Sequence, residues 1–147
     1  MLLYELIITD TECCYDEYSE DFDIGIFESE AQAREIAEYY LNNIAGFCQY
    51  PCTYRIVPKE VLGQVQSNEV WLVSGWDLNE ELDEIHIVES ECLVSRDQAE
   101  AVLSDMKKRH QRDEWVINHQ PIGKCYWEEG FDRYTYSIPD RPELPSE

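Results

Sequence analysis

Carboxylates are the chemistry-bearing groups this chain supplies in quantity, and they are grouped. Asp10, Glu12, Asp16, Glu17, Glu20, Asp21 and Asp23 fall close together, and no Lys or Arg precedes Arg34. Asp77, Glu80, Glu81, Asp83, Glu84, Glu89 and Glu91 form a second group between Lys59 and Arg96, a stretch that again holds no Lys or Arg. Three kinds of chemistry are open to such groups. Oxygen ligands at alternate positions can hold a hard cation such as calcium. Two carboxylates flanking a glycosidic bond can serve as acid and base or nucleophile. A fixed negative field can recruit a basic protein surface.

The first two find little support in the spacing. Asp77-Leu-Asn79-Glu-Glu81-Leu-Asp83 is the best calcium candidate. It lacks the glycine at the sixth position of an EF-hand loop and the bidentate Glu at the twelfth. For glycoside chemistry the sequence singles out no pair among thirty-two acidic residues. Cys48 and Cys52 are spaced as half a zinc site, but the other adjacent cysteines, Cys13 and Cys14, would alternate across a strand. The thiols are therefore read as small hydrophobes. No Gly-x-Ser-x-Gly elbow and no glycine-rich phosphate loop occurs. Of His86, His110 and His119, His110 falls on a helical stripe and is read as a core or helix-end residue. The expectation is a protein that is not an enzyme, with no metal and no cofactor. The alternative is a calcium- or zinc-binding domain, or an enzyme using surface carboxylates.

Electrostatic recognition fits better. Thirty-two Asp and Glu against eleven Lys and Arg give a formal charge of −21. Such a field repels nucleic acid and anionic lipid, and the one basic cluster (Lys107, Lys108, Arg109, Arg112) would have to overcome it. A basic protein surface is the expected partner, as for an immunity protein or a protein that imitates nucleic acid. The expected binding residues are Asp16, Glu17, Glu20, Asp21 and Asp23 in one loop, with Asp77, Glu80, Glu81, Asp83 and Glu84 in another. Met1–Ile8 has no basic residue and carries Glu5 within its apolar run, so it reads neither as a signal peptide nor as a membrane span. Cytoplasmic residence is the expectation.

An internal match at an offset of about 66 residues predicts the elements that carry these groups. Leu3–Ile8 falls on Glu69–Ser74, both strand-like, and Ile26-Phe27 falls on Cys92-Leu93, each ending a second strand. Ser29-Glu-Ala-Gln32 falls on Ser95-Arg-Asp-Gln98, a capping box in each copy. The stripes Ala33, Ile36, Ala37, Tyr40, Leu41, Ile44 and Ala99, Val102, Leu103, Met106, His110 follow at helical spacing. Gly46 is placed as a helix terminator, and Lys107–Arg109 complement the negative end of the second helix. Third strands are expected at about 53–57 and 114–118, Pro58 and Gly63 mark the junction, and a last strand is expected near 131–138. The fold class is thus α+β: two β-β-α-β repeats (1–62 and 67–138) in one domain, a mostly antiparallel sheet, and both helices on one face. Residues 139–147 are expected to form a flexible proline-rich tail.

Two stretches, Gly46-Phe-Cys-Gln-Tyr50-Pro51 followed by Tyr54-Arg-Ile56, and Tyr126-Trp127-Glu-Glu129-Gly130-Phe131, resemble the signatures of a small bacterial domain family of uncharacterised function. The resemblance implies a strand, a second strand, a Ser/Thr-capped acidic helix, then "GF..YP" and finally "W.EGF" within one short unit. Here the first signature belongs to the first copy and the second to the second, which implies a duplicated or elaborated relative. It implies no activity, cofactor or binding residue. Trp127 and Phe131 are expected to anchor the last strand, with Gly130 permitting a turn or bulge.

Overall fold

A computed structural model of the chain describes residues 1–12, 20–77 and 87–132. The fold is α+β, with mostly antiparallel strand pairing and two α-helices. The described elements are β1 (Leu2–Asp10), β2 (Glu20–Phe27), α1 (Glu30–Asn43), β3 (Cys52–Leu62), β4 (Glu69–Trp76), β5 (Ile87–Glu89), β6 (Cys92–Leu93), α2 (Arg96–Arg109) and β7 (Glu114–Pro121). They group into two compact units. One comprises Met1–Leu3 with Lys59–Ile122, and the other Tyr4–Pro58 with the chain from Gly123 onward.

Both helices begin where serine supplies the missing acceptor. Ser29 Oγ accepts from the Gln32 amide at 3.0 Å and Ser95 Oγ from the Gln98 amide at 3.1 Å, each cap residue being extended. One orphan amide of each first turn is thereby satisfied. The expected return bond to the cap amide is not what Gln98 makes: its Oε1 accepts from Val94 N at 2.8 Å, one residue earlier, and its Nε2 donates to Leu62 O at 3.2 Å. Each helix has fourteen residues. The first ends at Ile44, whose N–H reaches Tyr40 O, and the second at His110, whose N–H reaches Met106 O. His110 is thus a helix-end residue, behind a last turn of Lys107, Lys108 and Arg109 that suits the carbonyl end of the dipole.

In the Tyr4–Pro58 unit, β2 pairs antiparallel with β1, from Tyr4↔Phe27 to Asp10↔Glu20. Leu6 faces Gly25 and Ile7 faces Asp23, so Ile24 is an extra residue and β2 carries a bulge. Thr11 donates from both its amide and its hydroxyl to Pro51 O, tying the end of β1 to the start of β3. The core is Leu6, Ile8, Phe22, Ile24, Phe27, Ala33, Ala37, Tyr40 and Phe47, and the α1 stripe supplies its helical side. Each of the leucine, isoleucine and phenylalanine side chains among them contributes about 1.5–3 kcal/mol by leaving water.

In the Lys59–Ile122 unit, β4 is central. It pairs antiparallel with β7 along its length, from Glu69↔Pro121 to Trp76↔Glu114, and on its other edge with β5 and β6. β5 and β6 are separated at Ser90, which bridges the gap: its N–H donates to Val73 O, and its hydroxyl accepts from Val73 N and donates to Glu91 O. β6 pairs parallel with β3 at Val61↔Cys92 and Leu62↔Leu93. The core is Val73, Leu93, Ala99 and Met106, with Val102, Leu103, Trp115 and Ile117 packed against it.

The third strands are longer than expected. β3 runs through Pro58 to Leu62 and β7 runs to Pro121. Val61 N donates to Met1 O, so Pro58, an odd number of residues away, turns its missing donor away from β1. A proline costs a strand little there, because no ladder bond is lost. The junction therefore lies at Gly63 and beyond. The last strand expected at 131–138 lies mostly outside the described residues; Phe131 and Asp132 are in no strand. Among the described residues no helix is long and apolar enough to cross a membrane.

Candidate functional site

The acidic groups divide by position. Asp16, Glu17, Glu80, Glu81, Asp83 and Glu84 lie outside the described residues. Glu20, Asp21 and Asp23, expected in a loop, are in strand β2. The reason is the alternation Asp21-Phe22-Asp23-Ile24, which puts the apolar residues in the core and leaves Asp21 and Asp23 exposed. Asp21 accepts from Thr9 Oγ1 at 2.7 Å and pairs with Arg55 at 3.2 Å. The Thr9 hydroxyl first, and Arg55 after it, hold its carboxyl below the ordinary value against the opposing effect of burial. Asp77, just past β4, accepts from the Asp113 amide at 3.2 Å. Asp10 is fully buried and accepts from Glu12 N at 3.2 Å, while Glu89 pairs with Lys59 at 3.1 Å.

A more organised site arises in the Tyr4–Pro58 unit, where the chain from Gly123 returns. Gly123 N donates to Ile26 O and Tyr126 N to Ile24 O, each at 2.8 Å, so this segment covers the outer edge of β2. It then turns: Gly130 N donates to Trp127 O at 3.0 Å, and Phe131 N to Ala45 O at 3.1 Å. Gly130 has φ +86°, and a Cβ there would lie 2.1 Å from Ala45 O. Only glycine both adopts that backbone and admits that carbonyl. Phe131 stacks on Phe22 (ring centroids 4.5 Å) and packs edge-on against Phe47 (4.9 Å). Gly46, at φ +86°, leaves room for Phe131 in the same way. Trp127, expected to anchor a last strand that lies mostly outside the described residues, is part of this turn. It sits at φ +62° in the turn, its ring edge-on to Phe22 and 47 % exposed.

Beside this turn α1 and the returning segment line an open cavity of about 420 Å³. The helix supplies Glu35, Ile36, Tyr39 and Tyr40, the helix end supplies Ile44, and the segment supplies Cys125 and Glu128. The two walls are pinned together by Tyr40, whose hydroxyl donates to Tyr126 O at 2.8 Å. Burial above all, then Cys125 and Glu128, push the Tyr40 phenol well up. Burial and then Glu128 likewise raise the Cys125 thiol. Both groups are therefore neutral at physiological pH, and the cavity's formal charge comes from Glu35 and Glu128. Among the described residues neither enters an ion pair or a side-chain hydrogen bond. A site with two tyrosines, two isoleucines and two carboxylates can take a cation with an apolar stem.

Two other groupings in the Lys59–Ile122 unit have less definite chemistry. A cleft of about 840 Å³ at the end of α2 sets Lys107, His110 and Arg112 against Asp77 and Asp113, so its charges oppose one another. Ser67 Oγ donates to Glu69 at 3.0 Å, and Glu69 also contacts His119 Nε2. With the carboxylate in the middle, His119 cannot take the serine proton, so this is not a nucleophile–base pair. His119 first and Ser67 second lower the Glu69 carboxyl. Cys48 and Cys125 are free thiols. Among the described residues no three His, Cys, Asp or Glu side chains are grouped to hold a metal ion.

The sequence pointed at neither Glu35 nor Glu128, nor at Tyr39. An aromatic residue off the apolar stripe was the available signal for Tyr39, which is 57 % exposed in the folded chain. No family model, curated protein or solved structure matches this chain.

Proposed function

We propose that this protein is a non-enzymatic acidic module that binds a basic protein surface. The observation that carries the reading is the surplus of carboxylate. Thirty-two Asp and Glu face eleven Lys and Arg, so pairing each cation once leaves twenty-one acidic groups without one. Several cations are already engaged within a helix, in Arg34–Glu30, Arg96–Glu100 and Arg109–Asp105. Exposed pairs of that kind contribute little and do not offset the repulsion of the rest. A basic partner does. The partner is of the kind met by an immunity protein or a nucleic-acid mimic, and direct nucleic-acid binding is not part of the reading.

We also propose that the chain is an internal ββαβ duplication related to the small bacterial family its signatures resemble. The two fourteen-residue helices at an offset of 66 with equivalent serine caps support the duplication. The packing of Phe47 from one signature on Phe131 from the other supports the kinship.

The test uses the full chain and a variant in which Asp16, Glu17, Glu20, Asp21, Asp23, Asp77, Glu80, Glu81, Asp83 and Glu84 become Asn or Gln. Proteins retained by the immobilised wild type are identified, purified and rebound in increasing salt. The expected partner is basic and binds more weakly as the screening length falls from about 30 Å at 0.01 M to about 8 Å at 0.15 M. The variant loses it. A wild type that retains no basic protein, or a variant that retains the same partner equally well, overturns the reading.

A further inference from the structure

We infer that the cavity between α1 and the returning segment receives an arginine side chain of the basic partner. The inference rests on the reading above and names the place where recognition becomes specific. Long-range attraction by a charge of −21 brings any basic surface near but does not choose among them. Choice needs a pocket whose shape and charge match one group, and here the match is to a planar cation on a flexible apolar stem.

Each wall contributes. Tyr39, more than half exposed, offers aromatic surface, and a guanidinium both stacks on such a ring and is attracted to its face. Ile36 and Ile44 offer apolar contact to the methylene stem. Glu35 and Glu128 stand on opposite walls, one on the helix and one in the turn, and neither has a cationic partner among the described residues. Charge-assisted hydrogen bonds from a guanidinium would satisfy both at once. The pocket itself cannot supply the cation. Lys124, the nearest Lys or Arg in sequence to its segment wall, holds its Nζ 5.1 Å from the Tyr126 ring. The cavity's 420 Å³ falls in the range of pre-formed ligand sites, with room for the arginine and the flanking backbone. The pinning of the walls by Tyr40 and Tyr126 means that little ordering is needed on binding.

The test is an NMR titration of the ¹⁵N-labelled full chain in physiological salt. The probes are the blocked peptide acetyl-Gly-Leu-Arg-Leu-Gly-amide, its citrulline counterpart, and free agmatine. The expected result is saturable shifts confined to the amides of α1 around Tyr39 and of the segment around Glu128. Affinity falls about tenfold for the neutral citrulline peptide and about tenfold for the double variant Glu35→Gln with Glu128→Gln. Both glutamates are exposed, so the melting temperature of that variant stays unchanged and the loss is one of binding. Shifts spread over the acidic segments, or equal affinity in the double variant, overturn the pocket while leaving the partner reading intact. Agmatine carries the same guanidinium on the same kind of stem, so the absence of saturable shifts at these amides with both agmatine and the arginine peptide also overturns it. A captured partner that ignores Glu35→Gln and Glu128→Gln but is lost by the ten-carboxylate variant separates failure of the pocket from failure of the function.

Discussion

Replacing Gly130 by alanine tests whether the returning turn holds the site together, and the structure supplies its own control. Gly130 and Gly123 both have positive φ, +86° and +90°. An alanine at either position meets a left-handed backbone penalty of about 1–2 kcal/mol. At Gly123 a Cβ would meet nothing within 4 Å, whereas at Gly130 it would lie 2.1 Å from Ala45 O and 2.8 Å from Ala45 C. A carbon and a carbonyl oxygen approach to about 3.3 Å, so one backbone must move by more than about 1 Å. That movement breaks the Phe131 N–H bond to Ala45 O, about 1 kcal/mol, and loosens Phe131 from Phe22 and Phe47, part of the ~3–5 kcal/mol carried by a buried phenylalanine. The expected loss is about 3–5 kcal/mol for Gly130→Ala against about 1–2 kcal/mol for Gly123→Ala. At about 3 °C per kcal/mol for a chain of this length, the melting midpoints fall by about 10–15 °C and about 3–6 °C. Thermal denaturation followed by circular dichroism reads both. Equal losses in the two variants would refute the reasoning, because they would mean that the Ala45–Phe131 contact does not constrain the turn.

Further outcomes follow from the same structure. Ser29→Ala and Ser95→Ala each remove a helix cap and lower stability by about 1 kcal/mol, read as a drop in the urea midpoint at unchanged slope. With iodoacetamide near neutral pH, mass spectrometry finds Cys48 alkylated before Cys125, since Cys48 is exposed and burial raises the Cys125 thiol; fully buried Cys92 reacts only on unfolding. Raising the pH through the elevated Cys125 value closes that gap. The Asp21 carboxyl is depressed in the folded state, so its contribution is present above the unfolded value and lost as pH falls through the folded one. Thr9→Val removes the leading cause of that depression. Its stability at pH 7 is therefore slightly lower than wild type, by about 0.5 kcal/mol or less for so exposed a group, read as a small drop in melting temperature, and the difference vanishes at low pH.

The elements that sequence alone determined are those whose signal is local. The caps at Ser29 and Ser95, the stripes through Tyr40 and Met106, and the first strands of each half are set by side chains within a few residues of one another. Periods of 3.6 and 2 report which face is apolar, and that face is buried whatever the tertiary partner is. The strand character of Glu20–Asp23 is legible in the same way, in the alternation of Asp21 and Asp23 with Phe22 and Ile24. The net charge of −21 was also fixed by composition.

The site belongs to the tertiary structure. Tyr40 and Tyr126 are 86 residues apart, and no local period encodes their hydrogen bond. The sequence assigned Gly46-Phe47 and Gly130-Phe131 to different halves; folding sets them in one unit, where two glycines let Phe131 enter between backbones. That same return carries Glu128 to the wall opposite Glu35 and so forms the pocket. Charge is a sum over residues and can be read from a list of them. A pocket is a set of distances between segments, and only the folded chain sets those.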